Sequence, residues 1–460
     1  MNFAIFITAL FVLQAICLVV GSKALKNLKN QDDYYLAGKG VGFFPLMMTL
    51  VATQIGGGLI LGSSDEAYRY GWYVILYPLG QSLGFVLLAL GIGKKLNAYG
   101  VSTIAQLFEV VYNSPRLKQI ASSLSIISLF LIFVAQIVAS KKFMISLGVE
   151  QNYIFFGFWA IVILYTVVGG LQAVVATDII QAAFFMVIFV LCFAFAFASN
   201  PWTAEQAITS GFNGQSFEMS SEKLCGWLLM PLLFMVIEQD MGQRCFAAKS
   251  GKVVTTAAAC AAIVTFTLAI IPVYLGVFGK ASGIEVAKDA SVFMTVVKEA
   301  TNPVIAALVG CAVMAAIIST ADSLINAISS NLTQDFKLSF FSKSQTVKSA
   351  QWITAAIAVL GIFCSFYFNN VVDLMIATYE LSVCCLFVPV FAAIFKRKGN
   401  MSAAIGAIAF GAIGYVIFRF VSIPIPKEIA SLALSFLGYC LGEALAWKNS
   451  RQPVEEPVLE

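Results

Sequence analysis

The stretch that decides the fold is Thr49-Leu50-Val51-Ala52-Thr53-Gln54-Ile55-Gly56-Gly57-Gly58. It lies inside an apolar run near residues 43–63, long enough to cross a bilayer, since a spanning helix needs about 20 mostly apolar residues. Three consecutive glycines are poor helix material in the middle of such a run. Backbone groups released by a break in hydrocarbon must be satisfied by protein, water or an ion. Small residues also let helices pack closely, but the polar pair Thr53 and Gln54 just ahead of the glycines favours an interrupted helix.

The rest of the chain is the solvent for that break. Of its 460 residues 60% are apolar and 11% charged, against about 45–50% and 25% in soluble domains. The chain therefore reads as an all-α integral membrane protein. Thirteen apolar runs of spanning length lie near 3–21, 43–63, 72–93, 121–147, 153–175, 178–199, 225–247, 253–278, 303–330, 350–369, 372–395, 403–420 and 425–447. The first lacks the basic start and small-residue cleavage site of a signal peptide, and reads as a span. With the N-terminus outside, the inner loops hold 19 of the 28 Lys and Arg residues and the outer loops 8. The positive-inside rule then predicts N-terminus out and C-terminus in the cytoplasm of a cell membrane. Between spans eight and nine, residues 279–302 predict a short amphipathic helix. No histidine is present, which removes Ser-His-Asp triads, HExxH zinc sites and histidine proton relays. The ten cysteines form no CxxC pair and read as small hydrophobes. Basic residues are scattered, so no nucleic-acid partner is expected.

Charges inside a bilayer cost about 2.5–3.5 kcal/mol each on insertion scales, so each asks for a reason. The seventh span carries Glu238-Gln239-Asp240-Met241-Gly242-Gln243-Arg244. Asp240 and Arg244 are four apart and can pair on the helix surface, which leaves Glu238 and Gln239 as candidate solute contacts. The ninth span reads Ala315-Ala316-Ile317-Ile318-Ser319-Thr320-Ala321-Asp322-Ser323. At 100° per residue, Ala316, Ser319, Thr320 and Ser323 share one face with Asp322 at its border. Mid-helix hydroxyls often bond back to their own helix, but an aligned stripe of oxygens beside a carboxylate suits a hard cation. Asp178, with Gln181 three residues on, is either a capping box or a cation ligand. Tyr73, Tyr77 and Gln81 form an i, i+4, i+8 stripe, either packing or the wall of a polar cavity. Gln136 and Glu380 are isolated intramembrane polar residues.

Spans two and seven are thus both interrupted, and they open two successive five-span blocks. An odd offset inverts the second block, and interrupted helices at corresponding positions of two halves point to a midplane binding site. The chain divides into a first helix (1–30), block one (31–200), block two (201–398) and two C-terminal helices with a short tail (399–460).

Four stretches in register resemble the sodium:solute symporter family. They are Asp33-Tyr34-Tyr35-Leu36-Ala37-Gly38-Lys39; Tyr165-Thr166-Val167-Val168-Gly169-Gly170-Leu171-Gln172-Ala173-Val174 with Thr177-Asp178-Ile179-Ile180-Gln181; Gln243-Arg244-Cys245-Phe246-Ala247-Ala248-Lys249-Ser250; and Ala315 through Ser323. The resemblance implies a LeuT-type inverted-repeat core of five plus five helices, with one helix before it and two after. It also implies symport of a small organic solute with Na⁺ as the co-transported ion. Carried over, the carbonyls of Ala52, Ile55 and Ala316 and the hydroxyls of Ser319 and Thr320 would hold one sodium. Some members have a second sodium site, which here would use Asp178, Ser319, Asp322 and Ser323, with Asp322 standing where Ser is common. The solute would lie beside Thr53, Gln54, Gly56, Tyr77, Gln81, Glu238 and Gln239.

Other classes fit less well. A channel would need a charged ring or carbonyl filter, and an enzyme would need a nucleophile and base. Arg69 and Arg244 are placed at span ends, so the midplane holds carboxylates without a basic partner. That disfavours an anionic solute and points to a zwitterion such as an amino acid, with sugars next.

Overall fold

The computed structural model describes residues 2–25, 31–148, 151–199, 206, 209, 220–336, 347–396, 398–421 and 423–449. The described elements are α-helices with short 3₁₀ and π turns, and no strand occurs among them. The long helices begin at side-chain caps that the sequence supplies. Asn302 Oδ1 accepts from the amides of Val304 (3.0 Å) and Ile305 (2.9 Å), and Pro303 follows at the first helical position, where its missing N–H costs nothing. Ser114 and Ser250 start Pro115–Ser146 and Gly251–Ala281 in the same way. The helix Pro303–Asp335 is the central post: almost every residue from Ala306 to Asn331 is buried, whereas the first helix, Phe3–Leu25, is largely exposed on one side, as a lipid-facing helix should be.

Two helices are broken. The first runs Phe43–Gln54, leaves helical geometry at Ile55 (φ −86°, ψ 78°), and resumes as Gly58–Gly62 and Ser63–Tyr70. The second runs Ser221–Ile237, breaks at Glu238 (φ −67°, ψ 123°), and resumes as Gln239–Ala247 with a bend of 44°. A backbone bridge joins the start of one to the end of the other: Val41 N donates to Ala247 O (3.1 Å) and Lys249 N to Val41 O (2.9 Å). The leading half of the first broken helix and the trailing half of the second therefore start from one place, and both breaks lie one helix-half away from it.

Some boundaries differ from the sequence reading. Spans five and six are parts of one element, Asn152–Ser199, turned at Gly170 (φ 58°). Only glycine fits there, because a Cβ would sit 2.6 Å from the Tyr34 ring. The sixth helix thus starts near Leu171, and Asp178 lies two turns inside it, which removes the capping-box reading. By length and composition eight described helices are able to cross a membrane, or nine with the bent pair joined. The sequence reading of thirteen counts separately the pieces that the breaks shorten, such as Phe43–Gln54, and the short helices Gln351–Tyr367 and Met401–Ile417. The amphipathic helix expected in 279–302 is Val292–Ala300. The tail beyond residue 449 and most of 200–219 lie outside the described residues.

Candidate functional site

At the first break, oxygens from two helices converge. Ser319 Oγ lies 3.0 Å from both Ala52 O and Ala316 O. Thr320 Oγ1 lies 3.0 Å from Thr53 O, 3.1 Å from Ala316 O and 3.3 Å from Ala52 O. All of these residues are buried. The hydroxyls donate to carbonyls in the last turn before the break and to Ala316 in their own helix, an arrangement of the kind that coordinates alkali cations in broken-helix transporters. Ile55 is the hinge itself and is 2% exposed. The approach is close enough to require Gly56, whose Cβ would meet Thr320 Oγ1 at 2.5 Å and Gln136 Oε1 at 2.7 Å.

Beside this cluster lies a buried guanidinium. Arg244 is not at an exposed helix end: its side chain is 1% exposed and its partner Asp178 is 0% exposed. Arg244 Nη2 lies 3.3 Å from Asp178 Oδ2 and donates to Ser323 Oγ at 2.6 Å. Its Nε donates to Thr49 Oγ1 (2.9 Å), and Thr49 in turn donates to Asp178 Oδ2 (2.5 Å). Only the backbone carbonyl of Asp240 bonds to Arg244 (3.1 Å), so the expected Asp240–Arg244 side-chain pair is replaced by a pair across 66 residues of chain. Four elements meet in this network: both broken helices, the sixth helix and the Pro303–Asp335 post. Asp322 accepts from Thr166 Oγ1, and Thr53 Oγ1 shares a 3.0 Å bond with Ser323 Oγ.

On the other side of the breaks, Gln54 Nε2 donates to Glu238 Oε2 at 3.0 Å, so the two interruptions touch through their side chains. Glu238 is 5% exposed. Around this pair stand aromatic rings and thioethers. Phe234, one turn before Glu238, stacks on Tyr379 with centroids 4.6 Å apart. Tyr77 OH lies 3.7 Å from Met375 Sδ and 3.4 Å from Gln81 Nε2. Met375 packs directly on Gly58: a Cβ there would lie 2.1 Å from Met375 Sδ and would displace the thioether. Gln136 closes the site from Pro115–Ser146: its Oε1 accepts from Gly57 N at 2.7 Å, filling the first free amide of the resumed helix.

The residues singled out from the sequence fall into three groups. Ala52, Ile55, Ala316, Ser319 and Thr320 come together at the break, and Asp178, Asp322 and Ser323 lie in the adjoining network. Gln54, Gly56, Tyr77, Gln81 and Glu238 line the neighbourhood of the two breaks. Gln239 points elsewhere: its Oε1 accepts from Ile104 N (2.7 Å) and its Nε2 donates to Ser102 O (3.2 Å), so both ends of the amide hold the 102–104 segment. Thr49, Thr166, Met375 and Tyr379 were not singled out from the sequence. Thr49 alone carried a signal, a hydroxyl one turn before Thr53.

With this geometry in hand, comparison with known proteins gives a consistent answer. The sodium:solute symporter family matches residues 34–411. The osmoregulated proline transporter OpuE of Bacillus subtilis (strain 168) is 24% identical over 431 residues, covering 87% of this chain and 86% of that one. The high affinity choline transporter 1 of Homo sapiens is 26% identical over 377 residues, covering 75% and 64%. In fold, a substrate-bound, outward-open Na⁺-coupled sialic acid symporter superposes with a TM-score of 0.75 at 19% identity, over 99% of both chains. The match over most of the chain, on a LeuT-type fold with two broken helices, shows that this multi-pass membrane protein belongs to the sodium:solute symporter family, transporters coupled to Na⁺ and not enzymes.

Proposed function

We propose that this chain moves a small polar organic solute into the cell together with Na⁺, zwitterionic amino acids before sugars, by alternating access. The observation that carries this reading is the convergence of the Ala52 and Ala316 carbonyls with the Ser319 and Thr320 hydroxyls at a helix break. A sodium ion there, completed by the Ile55 carbonyl, ties the first broken helix to the Pro303–Asp335 post. Sodium binding then favours the geometry in which the solute site is formed, which is how an ion gradient is coupled to a solute. One charge crossing 100 mV supplies about 2.3 kcal/mol before the concentration gradient is added. Asp178, Asp322 and Ser323 form the second group of candidate cation ligands. The solute lies against Gln54, Gly56, Tyr77, Gln81 and Glu238, with Thr53 at the boundary between ion and solute and Gln239 supporting the break from behind.

The proposal includes an inverted pair of five-helix blocks at 31–200 and 201–398, flanked by 1–30 and 399–460, with the N-terminus outside. The Lys and Arg distribution supports that orientation. The relatives named as proline and choline transporters support a solute that carries a positively charged nitrogen. The test is a sodium-jump uptake screen in proteoliposomes with labelled amino acids, sugars and nucleobases. Accumulation of one class only under an inward sodium gradient supports the proposal. Equal uptake with potassium in place of sodium contradicts it.

A further inference from the structure

The solute site can be read further, on the assumption just made that the solute binds at the two breaks. A helix that restarts in mid-membrane presents free amides and the positive end of its dipole, and this is where broken-helix transporters receive a solute carboxylate. Here that seat is occupied from within. Gln136, itself 1% exposed, places Oε1 2.7 Å from Gly57 N and within 3.2 Å of where Cβ atoms on Gly56 and Gly57 would stand. The side-chain carbonyl supplies the acceptor that a carboxylate would otherwise supply, and its bulk fills the place.

The second break carries the opposite chemistry. Glu238 is buried, bonds to the neutral amide of Gln54 and to the equally buried carboxyl of Asp240, and neither acid has a salt bridge to a lysine or arginine among the described residues. Arg244, on the same helix, has its guanidinium committed to Asp178 and Ser323. A buried carboxylate without a counter-charge is costly. The rings of Tyr77, Tyr379 and Phe234 and the thioether of Met375 surround this region, and aromatic faces attract ammonium groups. Gln81, 2% exposed, has an Oε1 without a hydrogen-bond partner among the described residues. That oxygen is a second acceptor for an N–H donor.

We infer that the solute is recognised by a positively charged nitrogen held by Glu238 within this aromatic wall, and that Gln136 makes a carboxylate on the solute unnecessary. Organic cations are therefore bound at least as well as the zwitterions that share their nitrogen. Gln136 and Glu238 set this preference, one by occupying the anion seat and the other by supplying the counter-charge.

The test uses two pairs of probes that differ at the carboxylate: choline with glycine betaine, and prolinamide with proline. Binding to the purified full chain in detergent is read by sodium-dependent thermal stabilisation. Wild type is expected to bind the cation of at least one pair as tightly as its carboxylated partner, or more tightly. Glu238→Gln should weaken that cation about thirty-fold or more, the scale for truncating one partner of a buried charge pair. Gln136→Met keeps the volume but removes the acceptor, and Gln136→Ala also opens the space. If either variant elutes as a monodisperse species, it should bind the carboxylated partner roughly tenfold better than wild type does, the scale of one hydrogen bond to a charged group. Tighter binding of both carboxylated probes by wild type would overturn the inference. So would a Glu238→Gln variant that binds the cation normally. Sodium-dependent binding of sugars with no response to any of the four probes would overturn this inference and leave sodium symport standing. No sodium-dependent response to any solute would remove the symport reading beneath it.

Discussion

Replacing Gly56 by alanine should damage sodium binding before it damages anything else. The added methyl would lie 2.5 Å from Thr320 Oγ1, 2.7 Å from Gln136 Oε1 and 3.0 Å from Thr320 Cβ. Ordinary carbon–oxygen contact begins near 3.4 Å, so about 0.9 Å of overlap must be relieved. Thr320 cannot move freely, because its hydroxyl is enclosed by three carbonyls at 3.0–3.3 Å, to which it donates its one proton. Either the hydroxyl leaves the oxygen cluster or the break widens, and both changes separate the groups that would coordinate the ion. Overpacking of this kind costs about 1–3 kcal/mol, which converts to roughly a five- to hundred-fold weaker sodium affinity. The assay is ²²Na⁺ binding to purified protein without solute. Gly157→Ala is the control, since a Cβ there meets nothing within 4 Å. Sodium affinity unchanged in a folded Gly56→Ala variant would refute the idea that Thr320 and the break form the ion site.

Arg244 and Asp178 should behave as a unit. At 3.3 Å and an effective dielectric of about 20, their attraction is about 5 kcal/mol before desolvation, and removing one partner of a buried pair costs about 3–5 kcal/mol. Arg244→Gln should therefore lower the thermal midpoint in detergent by several degrees, and Asp178→Asn in the same chain should recover most of the loss. A double variant no more stable than Arg244→Gln would count against the pairing. Gln239→Ala should reduce stability or expression while leaving the solute half-saturation constant of the surviving protein near normal, because both ends of the amide hold Ser102 and Ile104. A large shift in solute preference would put Gln239 back in the cavity.

What was legible in the sequence was local. A glycine run in a spanning helix, two acids in an apolar stretch and a hydroxyl stripe at helical spacing each break a rule of their own segment, and those segments proved to be the broken helices and the central post. What was not legible depended on distant chain. Arg244 looked satisfied by Asp240 because the two are four residues apart. Its actual partners, Asp178, Ser323 and Thr49, lie on helices whose placement no local pattern gives. Asp178 reads as either a cap or a cation ligand because nothing local marks Gly170 as a turn. A left-handed glycine pressed against Tyr34 moved the helix start upstream. Gln136 is the clearest case. As one of many polar residues on a 32-residue helix it has no pattern, and its meaning arises only when Gly57 is brought to within 2.7 Å.

The proposed sodium site lies between the first break and the Pro303–Asp335 helix, and solute uptake is driven from there. The most direct measurement is the sodium dependence of uptake in proteoliposomes bearing Ser319→Ala or Thr320→Ala. Each variant removes one hydroxyl from the converging oxygens, and Thr320→Ala removes one buried methyl with it. The sodium half-saturation should rise in both, with uptake recovered at high sodium. Half-saturation equal to wild type in both variants would contradict the proposed site.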